Sequence, residues 1–234
     1  HEDWHAPDAD VVVVAPGKNT YGYVGFAFAG EPFIQGGMNA RGLFFDGTAT
    51  PFVPLDFGNR PAPPGFLWQT MLARCATVGE ALAFIQRYRM PDLQRVHVAI
   101  ADPSGASVVV GAYEGRVVVH QRREHGYQLL TNFNLSDPSY GNEPVCGRYQ
   151  KATAMLQTDS SATVANVRRI LSQTHQGELT VYSTVYDLTA REVTLYHRAN
   201  FTRSVTLSLR EALRHGPTRR SIASFFEKKG RVGN

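Results

Sequence analysis

Val96-His97-Val98-Ala99-Ile100 and Ser107-Val108-Val109-Val110-Gly111 flank Asp102-Pro103-Ser104-Gly105, and this stretch decides the fold. Both flanks are rich in β-branched residues, which suit a pleated, half-buried surface, and the segment between them has tight-turn chemistry. They read as two antiparallel strands of a hairpin. Glu114-Gly115 supplies another turn before a strand at Arg116 to His120, and Tyr127 to Thr131 is expected to complete the meander. Connections this short cannot carry a crossover between parallel strands, which takes a dozen or more residues. An antiparallel sheet follows.

Upstream, Val11 to Val14, Tyr21 to Ala29 and Gly42 to Phe45 read as strands, punctuated by Pro16-Gly17 and Gly30-Glu31-Pro32. The proline-rich stretch Pro51 to Pro64 is expected to be an ordered loop over a site, because Phe52, Val53, Leu55 and Phe57 continue through it. Two helices come next, Phe66 to Cys75 and a second opened by the capping box Thr77-Val78-Gly79-Glu80 and ended at Met90-Pro91. Past the meander, helices are expected at Arg148 to Gln157 and Val164 to Thr174, with Ser160 or Ser161 as cap. Strands at Leu179 to Asp187, Glu192 to Arg198 and Ser204 to Ser208 precede short helices at Leu209 to His215 and Ser221 to Lys228. This order predicts an α+β domain of two antiparallel sheets with helices packed outside them.

Composition agrees with a globular chain: 234 residues, 43% hydrophobic and 19% charged. A chain this long buries roughly 70% of its unfolded surface, so its core needs neither disulfides nor a structural metal. Its cysteines, Cys75 and Cys146, exclude a disulfide scaffold and a four-cysteine zinc site. No apolar run approaches the ~20 residues of a membrane span. The net charge of +4 gathers near the end, in Arg210, Arg214, Arg219, Arg220, Lys228, Lys229 and Arg231. Without interleaved stacking aromatics this tail reads as a solvated helix face, and no nucleic-acid partner is expected. The sequence opens on His1 rather than Met, which reads as a processed or truncated front.

Phosphate-binding glycine loops and the Gly-x-Ser-x-Gly elbow are absent. His120-Gln121-Arg122-Arg123-Glu124-His125 has one residue too many for the inverted zincin motif and sits in a strand and turn. His1, Glu2, Asp3 and His5 have metal-competent side chains, but a polar terminus is the preferred reading, so neither metal nor cofactor is expected. Three segments are harder to explain as plain structure. Glu2-Asp3-Trp4 places carboxylates beside an aromatic ring. Gln35 to Leu43 reads as a tight glycine-rich turn feeding an apolar strand. Leu130-Thr131-Asn132-Phe133 ends a strand on an amide, whose NH2 can donate to a developing oxyanion when it faces a cavity.

In this order, and joined by Cys146-Gly147-Arg148-Tyr149 and Thr180 to Leu188, these segments resemble the linear-amide C–N hydrolases of the choloylglycine hydrolase and penicillin V acylase group. The resemblance covers nearly all of the chain and implies a four-layer αββα fold of the N-terminal-nucleophile hydrolases. It also implies that the thiolate of an N-terminal cysteine attacks an amide carbonyl while its own α-amino group, with an unperturbed pKa of ~8, serves as general base. Asp3 matches the aspartate that holds the nucleophile, and Asn132 matches the asparagine of the oxyanion hole. The implied substrate is a small-molecule N-acyl amide, with Trp4, Met38, Asn39, Phe44, Phe45 and Thr48 as its binding residues and Phe52, Phe57 and Trp68 as further apolar lining.

Departures from the family pattern are equally specific. The family cysteine lies upstream of Glu2-Asp3-Trp4, as does an arginine three residues before the aspartate, so the given chain is expected to be a single domain lacking its first strand. A nucleophile at the start of a strand roughly 15 to 20 residues earlier fits the spacing of one β-hairpin. Where some relatives carry an arginine before Tyr-Ser, this sequence has Val181. Cys75 and Cys146 both read as small buried hydrophobes. A non-catalytic binding protein of the same fold is the alternative, and a metal-dependent hydrolase a weaker one. A secreted or periplasmic location is favoured over a cytoplasmic one, and homo-oligomerisation is left open.

Overall fold

The computed structural model describes residues 1–5, 8–122, 126–137 and 146–227. Lys228 onward in the basic tail, and the last three residues of the His120 to His125 stretch, lie outside the described residues.

Eight strands form the larger sheet: β2 (Ala9–Val14), β3 (Tyr23–Phe28), β4 (Gly36–Asn39), β5 (Phe44–Ala49), β6 (Val96–Ala101), β7 (Ser107–Tyr113), β8 (Arg116–Gln121) and β12 (Thr218–Ser221). Their order is β12-β2-β3-β4-β5-β6-β7-β8, with every neighbour antiparallel. The smaller sheet runs β1 (Glu2–Asp3), β9 (Thr180–Asp187), β10 (Glu192–His197) and β11 (Val205–Ser208), also antiparallel throughout.

Alternation along the strands makes four layers. Tyr23, Ala27, Phe45, Val98 and Ile100 turn one way, onto Met71 and Leu72 of α1 (Leu67–Arg74) and Ala81 and Ile85 of α2 (Val78–Arg87). Val24, Phe26 and Met38 turn the other way and meet Tyr182, Val193 and Leu195 of the smaller sheet. Behind that sheet, Val167 and Leu171 of α4 (Val164–Thr174) cover Val185, Tyr196 and Phe201, and α3 (Gly147–Thr158) packs beside α4. The architecture is the expected αββα sandwich. Each buried Leu, Ile, Phe or Met side chain in these layers contributes about 1.5–3 kcal/mol.

Several local expectations are corrected. Gly36-Gly37-Met38-Asn39 is a fully buried strand, not a turn, and the reversal falls on Ala40 to Gly42. Gly42 has a φ of +86°, and a Cβ there would stand 2.8 Å from the Leu188 carbonyl. Tyr127 to Thr131 joins no ladder. Instead, the Gln128 amide donates to His120 O at 2.8 Å, and its oxygen accepts from the Ser107 hydroxyl at 2.6 Å, tying the segment down through its side chain. The cap of α4 is Thr163, whose hydroxyl accepts from the Asn166 amide, rather than Ser160 or Ser161. The terminal helix expected from Ser221 is absent: Ser221 closes β12, and Ile222–Phe225 is a single 3-10 turn after it. α5 (Leu209–Arg214) is present as expected. Among the described residues no helix is long and apolar enough to cross a membrane.

Candidate active site

A cavity of about 1330 Å³ opens between the two sheets at the end of β1. Asp3 enters it from β1, Thr48 from β5, Asn132 from the segment after β8 and Arg148 from the first turn of α3. One wall is apolar, made by Phe28, Phe33, Ile34, Phe66, Leu67 and Trp68. The proline-rich segment contributes Phe57, Ala62 and Pro63, so it is a loop over the cavity, while Phe52 stands outside with the Arg95 guanidinium over its ring.

Asp3 is held on both carboxylate oxygens. Thr180 donates its hydroxyl to Oδ1 at 2.6 Å, Gln176 donates its amide to Oδ2 at 2.5 Å, and Arg148 reaches Oδ2 with Nη1 at 3.3 Å. Arg148 also donates Nη2 to Asn132 Oδ1 at 2.6 Å. One guanidinium therefore ties Asp3 to Asn132, and its planar fork sets the direction of both bonds at once. Asn132 turns its NH2 onto Thr48 Oγ1 at 2.9 Å and Ala49 O at 3.1 Å. An oxyanion would take this NH2 by replacing the Thr48 hydroxyl as acceptor. His1 lines the same cavity, with its Nδ1 2.6 Å from Ser183 Oγ.

A carboxyl pair lies beside this network. Glu2 on β1 and Asp46 on β5 both line the cavity, and each carboxyl acts on the other. Burial, then the neighbouring Asp46 carboxyl, pushes Glu2 well above the ordinary carboxylate range, and burial pushes Asp46 up as well. The Tyr182 and Tyr186 phenols are raised by burial and by the same carboxyls. Tyr182 is 2% exposed, and its hydroxyl has no hydrogen-bond partner among the described residues.

Of the expected binding residues, Trp4, Phe45 and Thr48 line the cavity. Trp4 stacks on Phe28 at 5.5 Å and Phe45 on Trp68 at 5.6 Å. Met38, Asn39 and Phe44 do not line it. Met38 is wholly buried in the core between the sheets, because its β4 position faces the smaller sheet. Asn39 is wholly buried and donates to the carbonyls of Leu72 and Cys75, both at 2.7 Å, which closes the end of α1. Phe44 packs on Tyr186 with ring centroids 4.6 Å apart.

Neither cysteine lines the cavity. Cys75 is buried at the end of α1, and burial pushes its thiol up to about 11. Cys146 is the N-cap of α3; burial raises its thiol, but the nearby Thr131 hydroxyl, the Tyr149 and Arg148 amides and the Arg148 charge outweigh that and hold it below the ordinary value. Among the described residues, no group of three or more His, Cys, Asp or Glu gathers to hold a metal, and His5 lies outside the cavity that His1, Glu2 and Asp3 line.

Sequence comparison decides the family: the profile "Linear amide C-N hydrolases, choloylglycine hydrolase family" matches residues 9–143, more than half of the chain. The chain belongs to this family. It is accordingly an amidohydrolase acting on linear C–N bonds. No curated protein matches it by sequence search. Solved structures with the same fold include penicillin V acylase from Agrobacterium tumefaciens, at TM-score 0.68 and 18% identity over 94% of this chain and 85% of that one. A single-residue variant of conjugated bile acid hydrolase from Clostridium perfringens gives 0.64 and 16% over 94% and 90%. A Caenorhabditis elegans N-acylethanolamine-hydrolyzing acid amidase ortholog gives 0.51 and 18% over 71% and 75%. For this choloylglycine-type hydrolase, the residues that sequence reasoning left without a role are Arg148, Gln176, Thr180 and the Glu2–Asp46 pair. Arg148 stood inside the quoted Cys146-Gly147-Arg148-Tyr149 motif, but nothing in sequence spacing tied it to Asp3.

Proposed function

We propose that this protein hydrolyses an N-acyl amide with the thiol of an N-terminal cysteine carried on residues that precede His1. The observation that supports this most is the Asp3–Arg148–Asn132 chain of charge-assisted bonds at the mouth of an apolar-walled cavity. Such bonds are short and directional, and they hold an acid and an amide donor in fixed relation before any substrate arrives.

In this reading Asp3 orients the nucleophile and the apolar wall takes the acyl group. The cysteine α-amine accepts the thiol proton as sulfur attacks the carbonyl carbon, and the carbonyl electron pair moves to an oxyanion that accepts from the Asn132 NH2. Collapse breaks the C–N bond, and the proton held by the α-ammonium passes to the departing amine. Water then attacks the thioester with the α-amine as base, releasing the carboxylic acid and restoring the thiol. Nucleophile and base belong to one residue, so no separate histidine is needed. His1 is occupied by Ser183, and Cys75, with its thiol pushed up to about 11, carries too little thiolate at neutral pH to replace the proposed nucleophile.

The test is to express the gene from its upstream start, verify the mature N-terminus by intact mass, and assay a panel of N-acyl amides. Hydrolysis that disappears when the leading cysteine becomes alanine, and that persists in Cys75→Ser and Cys146→Ser, is the expected result. Activity that survives the first change, or a mature N-terminus without cysteine, serine or threonine, overturns the reading.

A further inference from the structure

Asn132 stands on a segment that joins no ladder, yet an oxyanion donor has to be held to well within an ångström. Its own side-chain bonds do not hold it there throughout the reaction. In the resting site its NH2 is spent on Thr48 Oγ1 and Ala49 O, and the Thr48 contact is given up when an oxyanion takes the donor. Arg148 keeps hold of Oδ1, but a single contact leaves the amide free to swing unless the main chain beneath it is fixed. We propose that Asn134 is a positioning residue for the amide hydrolysis: its side chain clamps the segment 131–136 to β7 and so keeps Asn132 aimed at the oxyanion. This rests on the reading of Asn132 as the oxyanion donor.

Three observations carry it. First, Asn134 is 3% exposed, its Nδ2 donates to Ala112 O on β7 at 2.8 Å, and its Oδ1 accepts from the Ser136 amide at 2.9 Å. Turning that amide over would set oxygen against the Ala112 carbonyl and NH2 against the Ser136 N–H, so only one orientation satisfies both ends. An enclosed polar group satisfied in one orientation fixes the backbone that carries it.

Second, the two asparagines grip the larger sheet on opposite sides of β6. Asn132 bonds to Thr48 and Ala49 on β5 and Asn134 to Ala112 on β7, and alternate strands lie about 10 Å apart. Two residues of extended chain span about 7 Å between Cα atoms, so the chain from Asn132 to Asn134 has little slack to take up if one grip is released. Third, the residues around Asn134 are tied to the rest of the site. Phe133 is buried with its ring at 78° to that of Tyr149, centroids 5.1 Å apart, which joins the segment to α3, the helix that brings Arg148 to Asn132. Ser136 Oγ lies 2.9 Å from His120 Nε2 on β8.

The experiment is a double-mutant cycle on the full-length enzyme with an N-acyl amide substrate: parent, Asn134→Ala, Asn132→Ala and the double variant, with kcat and KM measured separately. Asn134→Ala is expected to lower kcat about tenfold with KM within about twofold of the parent, and to change kcat by less than about twofold once Asn132 is alanine. Loss by the same factor in both backgrounds, a rise in KM at unchanged kcat, or no loss at all overturns the proposal. Ser136→Ala releases the tie to His120 and leaves the Asn134 amide on Ala112; it is run through the same cycle and decides the question if Asn134→Ala does not fold. Its expected loss in kcat is about threefold, confined to protein that retains Asn132, and an equal loss in both backgrounds or none overturns the proposal. Failure of the amidase reading looks different: hydrolysis then survives Asn132→Ala or removal of the leading cysteine, and the positioning role falls with it. When Asn132→Ala lowers kcat but the Asn134 effect ignores Asn132, the positioning role alone is lost.

Discussion

Asn39→Ala separates a binding residue from a structural one. Asn39 is fully buried, and its side chain makes four hydrogen bonds: Nδ2 to Leu72 O and Cys75 O, both at 2.7 Å, and Oδ1 from the amides of Arg41 at 2.9 Å and Leu43 at 3.1 Å. The carbonyl of Leu72 lies in the last turn of α1, where helix geometry leaves it without an intrahelical partner. Alanine removes four bonds worth about 1 kcal/mol each and strands buried backbone groups, so a loss of about 4 kcal/mol is the central expectation. For a chain of this size that lowers Tm by roughly 8–16 °C. Asn39→Asp keeps the two acceptor contacts but sets a carboxylate against two carbonyl oxygens, and it is expected to lose at least as much. The assay is thermal unfolding followed by circular dichroism, with KM measured on the folded fraction. A Tm within about 3 °C of the parent combined with a tenfold rise in KM refutes the reasoning and returns Asn39 to the substrate site.

Three further outcomes follow from the site and its surroundings. Arg148→Ala is expected to lower kcat roughly 100-fold, the scale on which an ångström of misplacement costs rate, while Arg148→Lys restores only part because it keeps the charge and loses the fork; steady-state kinetics reads both. His97 is fully buried and burial lowers its pKa from 6.5 to about 4, so the native state refuses a proton that the unfolded chain binds. Stability is therefore complete above pH 6.5 and declines as pH falls toward 4, by up to ~3 kcal/mol, and urea unfolding across that range should show a slope that His97→Gln flattens. Gly111→Ala would put a Cβ 2.1 Å from the His97 ring, and overpacking of this kind is expected to cost about 1–3 kcal/mol in the same unfolding assay.

The strands were legible where alternation or β-branching was strong, as in Val11 to Val14 and Ser107 to Gly111, and the helices where apolar spacing and the Thr77 cap coincided. Gly36 and Gly37 misled because glycine usually marks a turn. Here they sit in a strand whose neighbours come too close for a side chain: a Cβ on Gly37 would lie 2.6 Å from Val24 O. Asp3 and Asn132 each belong to a short local motif visible in the sequence, and the structure brings both to one cavity. Arg148 and the Glu2–Asp46 pair were not legible, since their partners are created by the packing of the two sheets and the docking of α3 and have no periodic trace in the sequence. Met38 and Phe44 were misplaced for a related reason: apolar character shows that a residue is buried, and only the strand's facing shows whether it meets a cavity or the opposite sheet.

The most direct measurement is single-turnover hydrolysis of an N-acyl amide by protein expressed from its upstream start, with the covalent state followed by mass spectrometry. An acyl-thioester on the N-terminal cysteine, forming before acid release and absent when that cysteine is alanine, is the predicted result. Amide hydrolysis without any acyl adduct, or an adduct located on Cys75 or Cys146, would contradict the account.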